Sequence, residues 1–322
     1  MTSNPGSLAV PVADGAGAGH LTPPVIAKDS KRHGGTFAAW SFLTLNMILV
    51  VVFLLLPLVF AFVISFQKKG SLGPAEYLGI NNYLDLFHDP IFWETLWNTL
   101  LFTVCTVPVG MAIGLGIAYL LNGVLPGRTL YRSIIFLPLV ISGAATGVLG
   151  AWMFDQYNGF VNNLLATFGI DGPNWQSSGG WAMFSVILMT LWQRVGFDML
   201  IYLAGLQGVG QDMLEAASID GATGWQRFRR ISFPLLGPST FFLLIMNLIY
   251  SFQIFDTVYA MTAGGPEFST TMLVTYAYRT GFDDHGPGQL GYAATIGVVI
   301  YLITLLITVI QWRVNKNRDQ VG

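Results

Sequence analysis

The sequence predicts an all-α integral membrane protein with six transmembrane helices. Apolar residues make up 53% of its 322 residues, charged residues only 10%, and the mean hydropathy is +0.59. A soluble domain carries about 25% charged residues, so this deficit indicates that much of the surface faces lipid. The apolar residues also fall in six runs, each long enough to cross a ~30 Å hydrocarbon layer as a helix of about 20 residues. These runs cover residues 40–66, 96–121, 131–154, 181–207, 236–261 and 290–312.

The runs divide the chain into a membrane domain and two tails. Residues 1–36 are rich in Gly, Ala, Pro and Ser and predict a disordered tail. The first run is much longer than the apolar core of a cleavable signal peptide, about 7–15 residues, so it predicts an uncleaved span. The six-span domain is then expected at 37–312 and a second tail at 313–322.

Proline and glycine inside the runs predict bends and close packing. Pro57, Pro108 and Pro138 mark possible kinks in the first three spans. Small residues let helices approach closely, and packing is the expected role of Gly110, Gly114, Gly116, Gly143, Gly147 and Gly150.

Lys and Arg concentrate on one side of the predicted membrane, which is expected to be the cytoplasmic side. That side holds both tails and the loops that join spans two to three and four to five. Its basic residues are Lys28, Lys31, Arg32, Arg128, Arg132, Arg227, Arg229, Arg230, Arg313, Lys316 and Arg318. The opposite side holds Lys68, Lys69 and Arg279. Both termini are therefore predicted to be cytoplasmic.

Net charge and cysteine content limit the possible partners and cross-links. The formal net charge of −2 gives no attraction to nucleic acid. The one cysteine, Cys105, cannot form an internal disulfide. Its expected role is that of a small buried apolar residue.

The stretch 211–234, QDMLEAASIDGATGWQRFRRISFP, is polar and lies between two apolar runs. Ala216 and Ala217 are the small residues of a tightly docking helix, and Gly221 tolerates the positive φ of a turn. We expect a short helix, a turn and a second short helix at the cytoplasmic membrane surface. The alternative is an ordinary cytoplasmic loop with a basic cluster.

The spacing in this stretch resembles the EAA loop of permease subunits in binding-protein-dependent ABC importers. That pattern is Glu-Ala-Ala, three residues, Gly, nine residues, Ile, one residue, Leu and Pro. It is met by Glu215, Ala216, Ala217, Gly221, Ile231 and Pro234, with Phe233 in place of Leu. Asp220, Gln226, Phe228 and the segment 255–266, FDTVYAMTAGGP, further resemble the carbohydrate-uptake branch, typified by maltose and glycerol-3-phosphate permeases.

The resemblance implies a permease subunit in a bacterial or archaeal cytoplasmic membrane, surrounded by lipid. Its implied partners are a second homologous permease, a dimer of cytoplasmic ATPase subunits and an extracytoplasmic solute-binding protein. The chain contains no GxxxxGK[ST] phosphate loop, so ATP and Mg²⁺ are expected on the ATPase, with no cofactor or enzymatic activity on this chain. The residues implied to couple to the ATPase are Glu215, Ala216, Ala217, Asp220, Gly221, Ile231 and Pro234.

Polar and charged residues in the middle of the fourth run are candidates for the translocation pathway. They are Gln193, Arg194 and Asp198. A charge at the centre of a membrane helix costs about 3 kcal/mol on insertion scales. Arg194 and Asp198 share one helix face and can neutralise each other as a structural ion pair. The other interpretation is a site facing a water-filled pathway.

The fifth run contains a polar stripe with an aromatic residue. Its members are Asn247, Tyr250, Ser251, Gln253, Asp256 and Thr257. On a continuous helix, all but Asp256 share an arc of roughly 160°, and Asp256 lies beside it. Such a stripe suits a hydroxyl-rich solute, because hydroxyls need partners and sugar faces pack on aromatic rings. Alternatively, these groups bond to neighbouring helices.

Two other functional classes remain as alternatives. A stand-alone secondary transporter usually shows internal repeats and more spans. A membrane-embedded enzyme or metal site needs a cluster of His, Cys, Asp or Glu; none has ligand spacing here, and the four histidines lie in the tail or in loops. The solute stays open between a disaccharide, another oligosaccharide and a glycerol-phosphate compound.

Overall fold

A computed structural model describes residues 33–70, 73–123, 125–283 and 288–319, which are mostly helical. The chain divides into two compact units, residues 1–54 and residues 55–322. The first unit contains helix α1, His33–Val50, after which a π-helical turn covers Val51–Leu55. Helix α1 therefore includes the last four residues of the predicted tail. The rest of that tail, 1–32, lies outside the described residues.

The second unit contains fourteen helices and a small hairpin among its described residues. The longer helices are α2 Leu56–Ile64, α3 Asn81–His88, α4 Pro90–Asn122, α5 Arg128–Val140, α6 Gly143–Met153, α7 Phe160–Thr167, α8 Gly179–Gln207, α9 Gln211–Ile219, α12 Gly237–Phe252 and α15 Leu290–Asp319. The shorter ones are α10 Gly224–Arg227, α11 Phe233–Leu235, α13 Asp256–Thr262 and α14 Leu273–Tyr278, with π-helical turns at Phe228–Ser232 and Arg279–Asp283. Helix α15 extends into the predicted C-terminal tail.

Four helices in the described residues are long and apolar enough to cross a membrane. They cover Leu43–Ile64, Pro90–Asn122, Gly179–Gln207 and Leu290–Arg313. Two bent helix pairs raise the number to six if each pair counts as one span. These are Arg128–Val140 with Gly143–Met153, bent by 97°, and Gly224–Leu235 with Gly237–Phe252, bent by 63°. The described part of the chain thus holds four to six candidate spans.

The prolines differ in their effect on these helices. Helix α4 continues through Pro108 without a break. Pro57 lies in the first turn of α2, directly after the π-helical turn Val51–Leu55. Pro138 lies two residues before the end of α5, directly ahead of the 97° bend. The predicted kink at Pro138 thus coincides with a sharp change of direction.

A two-stranded antiparallel hairpin departs from the all-α prediction. Strands β1, Gln67–Lys68, and β2, Glu76–Tyr77, follow the end of α2. The Asn82 side chain donates to the carbonyl oxygens of Ser65 and Gln67, at 2.8 and 3.0 Å. The chain has left its helix here, so strand pairing and this side chain satisfy backbone groups that a helix would pair internally.

Most of the predicted glycine contacts are present. A Cβ on Gly114 of α4 would lie 2.6 Å from the Asp198 Cβ on α8, and one on Gly147 of α6 would lie 2.7 Å from the Ala260 Cβ on α13. Glycine is therefore what allows α4 to meet α8 and α6 to meet α13. Gly116 is an exception, because nothing lies within 4 Å of its Cβ position. Its predicted packing role is wrong.

Asp89 joins three helices at one end of the unit. It caps α4 by accepting from the Ile91 N–H at 2.8 Å. The hydroxyls of Tyr276, on α14, and Tyr292, on α15, both donate to its other carboxylate oxygen. Burial raises the pKa of Tyr276 well above its ordinary value, and the hydrogen bond with Asp89 raises it further. The tyrosine therefore stays a donor at neutral pH.

Candidate functional site

A cavity of about 270 Å³ brings together most of the residues predicted for the pathway. Its walls come from the α5–α6 bend, the middle of α8 and the end of α12 with the segment that follows it. The predicted residues in its lining are Gln193, Arg194, Tyr250, Gln253, Asp256 and Thr257, and the others are Leu139, Gly143, Ile254 and Phe255. Fourth-run and fifth-run residues thus share one space.

Arg194 and Asp198 are connected through Asn247. The Arg194 Nη2 donates to the Asn247 Oδ1 at 3.2 Å, and the Asn247 Nδ2 donates to the Asp198 Oδ1 at 2.7 Å. An amide from α12 therefore stands between the two charges, which one of the two interpretations had paired directly. An asparagine can serve both because its side chain carries an acceptor and a donor.

The Arg194 guanidinium also lies against an aromatic ring. Its Cζ atom is 3.9 Å from the centroid of the Tyr250 ring, within the range of a cation–π contact. Its Nε is buried and has no hydrogen-bond partner among the described residues. This leaves one donor of the guanidinium unused in a residue that lines the cavity.

Asp198 is almost completely buried, with 2% of its surface exposed. Space for its side chain comes from α4, because a Cβ on Gly110 would lie 3.1 Å from the Asp198 Oδ2. Asp198 does not line the 270 Å³ cavity but a second one of about 20 Å³, together with Asn247 and Arg194. Asp198 therefore holds Asn247, which in turn holds Arg194, and does not itself face the larger cavity.

Two of the predicted residues bond to the backbone at the α5–α6 bend. The Gln193 Nε2 donates to the Ile141 carbonyl at 2.9 Å, and the Thr257 hydroxyl donates to the Gly143 carbonyl at 3.2 Å. Bending frees carbonyl groups that need partners inside a membrane. The Gln193 Oε1 stays buried and unpartnered within the described residues. Both side chains therefore hold the bend and line the cavity.

The fifth run is not one continuous helix, so the arc calculated for its polar stripe is wrong. Helix α12 ends at Phe252, and α13 begins at Asp256. No Gly or Pro occurs between residues 239 and 263 to signal this break. The buried Ile254 lies in a hydrophobic cluster with Phe154 and Met189, and this tertiary packing accompanies the break. Gln253 and Asp256 are exposed at the cavity.

Ser251 is used between helices. It accepts a hydrogen bond from the Thr103 hydroxyl of α4 at 3.0 Å and donates to the Leu248 carbonyl at 2.9 Å. It lines the smaller cavity and not the larger one. For Ser251, the geometry favours the alternative that polar groups in this run bond to neighbouring helices.

The first half of 211–234 is a helix that ends in a Schellman motif. The Gly221 N–H donates to the Ser218 carbonyl at 3.1 Å, and the Ala222 N–H donates to the Ala217 carbonyl at 2.9 Å. Gly221 has φ +81°, as the predicted turn required. None of the residues of α9 is buried, and Ile219 at its end is 87% exposed. Glu215, Ala216 and Asp220 are exposed as well.

The second half of 211–234 is anchored to the rest of the unit. Thr223 and Gln226 form a capping box at the start of α10. Phe228, which follows α10, packs on the Tyr119 ring of α4 with centroids 4.7 Å apart. Ile231 is half-buried and Pro234 is exposed. The segment therefore presents one free helix and holds the next against α4.

Sequence reasoning missed several residues of the site. Thr103 gave no signal, because Thr is common in membrane helices and its partner is distant in sequence, and Phe255 was noted only as the first residue of the segment 255–266. Gly143 was expected only to permit packing, yet its carbonyl is also the partner of Thr257. These roles depend on which helices meet, and periodicity within one helix does not contain that information.

Residues 26–319 match the family described as the inner membrane component of binding-protein-dependent transport systems. The chain belongs to this family. It is therefore a permease subunit of an ABC importer, which confirms the resemblance predicted from the loop. The alternatives of a secondary transporter and an enzyme are not supported.

Curated relatives of this permease cover most of its length. The sulfoquinovosyl glycerol transport system permease protein SmoG of Agrobacterium fabrum is 37% identical over 273 residues, which are 84% of this chain and 87% of that protein. The sn-glycerol-3-phosphate transport system permease protein UgpA of Salmonella typhimurium is 34% identical over 270 residues, 83% of this chain and 90% of that protein.

Solved structures show the same fold. A bacterial ABC transporter involved in the import of the acidic polysaccharide alginate superposes with a TM-score of 0.78, covering 88% of this permease and 96% of that chain at 23% identity. The bacterial alginate ABC transporter in complex with an alginate pentasaccharide-bound periplasmic protein gives a TM-score of 0.76 at 24% identity, covering 86% and 93%. At these identities the likeness concerns the fold alone.

Proposed function

We propose that this permease forms half of the translocation pathway of an ATP-driven importer for a sugar or glycerol-phosphate-type solute. The solute class rests on the relatives, which are named for sulfoquinovosyl glycerol and sn-glycerol-3-phosphate transport. Each bent helix pair counts as one span, which gives six. Both termini and the segment 211–234 lie in the cytoplasm, because that side carries most of the Lys and Arg residues.

The observation that carries the proposal is the 270 Å³ cavity between the helices. It combines amide, hydroxyl and charged groups with the Tyr250 ring. A solute rich in hydroxyls needs such partners when it leaves water. Arg194 and Gln193 line this cavity, and each also keeps a buried polar atom, Nε and Oε1, without a hydrogen-bond partner among the described residues. Gln253 and Asp256 are exposed at the same place.

The segment 211–234 is the contact for the ATPase. Helix α9 has no buried residue and presents Met213 and Ile219, which are 51% and 87% exposed. The segment 211–234 joins α8 to α11 and α12, and α8 and α12 are the helices that supply Arg194 and Asn247. A displacement of this segment by closing ATPase subunits therefore reaches both sides of the cavity. The Phe228 contact with Tyr119 extends it to α4.

The complete importer holds four kinds of subunit. A second, homologous permease closes the other half of the pathway, and two ATPase subunits bind ATP and Mg²⁺. A solute-binding protein docks on the extracytoplasmic side; a neighbour of the same fold is described in complex with a periplasmic protein. No cofactor is placed on this chain.

Copurification and uptake together test this function. The tagged permease is expressed with its partner subunits, purified and reconstituted into proteoliposomes with ATP inside. We expect an ATPase to copurify, and we expect uptake of sulfoquinovosyl glycerol or sn-glycerol-3-phosphate to need both ATP and the binding protein. The control is the permease reconstituted alone. Uptake by that control under an ion gradient would show a secondary transporter, and failure of the ATPase to copurify would contradict the proposal.

A further inference from the structure

A continuous row of aromatic side chains leads away from the cavity. It consists of Phe255, Tyr259, Tyr278 and Phe282, and is called the aromatic row below. Phe255 and Tyr259 are stacked with centroids 5.1 Å apart, Tyr278 lies 4.9 Å from Phe255 and 5.2 Å from Tyr259, and Phe282 lies 5.6 Å from Tyr278.

The row begins in the cavity wall and ends at the surface. Phe255 lines the cavity. Tyr278 is 36% exposed and Phe282, one helical turn further, is 71% exposed. The last two rings lie in the segment 262–289, which the proposed orientation places outside the membrane. The row therefore connects the extracytoplasmic surface with the proposed pathway.

Two exposed acidic residues adjoin the row in sequence, and one of them contacts it. The exposed Asp256 adjoins Phe255, and the exposed Asp283 adjoins Phe282. The Tyr259 hydroxyl donates to the Asp283 Oδ2 at 3.1 Å. Ionised carboxylates are expensive in lipid, so this face lies along water or a polar partner. Aromatic rings beside hydrogen-bond acceptors suit a sugar, because the C–H faces of the sugar pack on the rings while its hydroxyls donate to the acceptors.

We propose that the aromatic row is a contact surface for the pyranose rings of the solute on their way into the cavity. This inference rests on the proposed import function and assigns its solute class as one that contains a sugar ring. A solute without such a ring, like sn-glycerol-3-phosphate, gains no stacking from the row. The competing occupants are lipid and the second permease, and both would shield the rings from water.

Cysteine labelling tests whether the row faces water. The chain has one native cysteine, so a Cys105→Ser background carries a single thiol in each variant. Tyr278→Cys and Phe282→Cys are compared, in intact cells and in the complete importer, with Tyr157→Cys at an 80% exposed site and Val104→Cys at a 66% exposed apolar site on α4. The probe is a membrane-impermeant methanethiosulfonate. We expect the two row positions to react at rates close to that of Tyr157→Cys, while Val104→Cys stays unreactive. Protection of both row positions would overturn the proposal in favour of lipid or the second permease.

Removal of one ring tests whether sugar is the occupant. The variants are Tyr278→Leu, Tyr278→Phe and, as a control outside the row, Tyr157→Leu. The loss of one stacking contact is expected to lower affinity by a factor of about 2–10. We expect Tyr278→Leu to slow ATP-driven uptake of sulfoquinovosyl glycerol by about that factor, with Tyr278→Phe and Tyr157→Leu near wild type and ATPase stimulation by the binding protein retained. Equal slowing of sn-glycerol-3-phosphate uptake, or loss with Tyr278→Phe, would overturn the proposal.

The labelling and uptake experiments together distinguish a failure of this inference from a failure of the import function. If neither probe is taken up with ATP by the wild type, the failure is that of the solutes inferred from the relatives and not of the aromatic row. The labelling rates then still decide whether the row lies along water. If uptake of sulfoquinovosyl glycerol is intact but insensitive to Tyr278→Leu, the import function stands and the aromatic row does not contact the sugar.

Discussion

Substitution of Gly221 tests whether the backbone conformation of the segment 211–234 matters for transport. The residue has φ +81°, and nothing lies within 4 Å of its Cβ position. A side chain therefore clashes with no neighbour, and the cost of Gly221→Ala is the strain of an L-residue in the left-handed region, about 1–2 kcal/mol. Valine costs more because it is β-branched. Asparagine costs less, since it is the residue other than glycine that commonly occupies this cap position.

The strain acts on the end of α9, which has no buried residue to hold it. A loss of 1–2 kcal/mol lowers the ratio of capped to uncapped helix by a factor of about 5–30. ATP-driven uptake in proteoliposomes and the amount of copurified ATPase are therefore expected to fall in the order Asn, Ala, Val. The matched control is Gly210→Ala at the other end of α9, where the Cβ position is equally empty and φ is −57°.

Two results would refute this reasoning. If Gly221→Val transports as wild type does and retains its ATPase, the capped turn is not needed for coupling. If Gly210→Ala loses as much activity as Gly221→Ala, the effect comes from losing any glycine near α9 and not from positive φ.

Three further predictions concern packing, buried charge and pH. Gly114→Ala places a Cβ 2.6 Å from the Asp198 Cβ and should destabilise the complex by about 1–3 kcal/mol. Gly116→Ala adds a Cβ with nothing within 4 Å and should be neutral or stabilising. Melting temperatures in detergent compare the two variants. Asn247→Leu removes the donor at 2.7 Å from Asp198 and should cost about 1.5–3 kcal/mol in the same assay, partly recovered in a double variant with Asp198→Leu; full stability of the single variant would contradict the relay. Tyr276 has a pKa raised above its ordinary 10.0, so its contribution to stability is present below about pH 10 and is lost at higher pH, where the unfolded chain releases the proton first. Melting temperatures between pH 9 and 11 should therefore fall more steeply for the wild type than for Tyr276→Phe, and parallel curves would contradict this.

The long helices and the polar loop could be predicted because their signals are local. A run of about 20 apolar residues contains the information for a span, and the spacing from Glu215 to Pro234 carried the family assignment that the comparison confirmed. The turn at Gly221 was also predictable, since few residues other than glycine adopt a positive φ without strain. The role of these residues in coupling stays a prediction.

The site itself was only partly accessible to sequence reasoning. The residues that line the cavity were found by their polarity, which is unusual within apolar runs. Their geometry was not found, because the break after Phe252 carries no Gly or Pro. The same holds for Asn247, whose place between Arg194 and Asp198 depends on the approach of α12 to α8.

Composition and local pattern by themselves determined that this protein spans a membrane and that the segment 211–234 has a permease-like spacing with a glycine turn, since lipid exposure and backbone strain act on each stretch of chain separately. Tertiary structure alone decided how the polar groups are used. The close approach of α4 to α8 buried Asp198, the bend between α5 and α6 engaged Gln193 and Thr257, and the end of α12 turned Gln253 and Asp256 to the cavity. Each of these outcomes depends on contacts between residues far apart in sequence, where unpaired polar groups must find partners that no single helix provides.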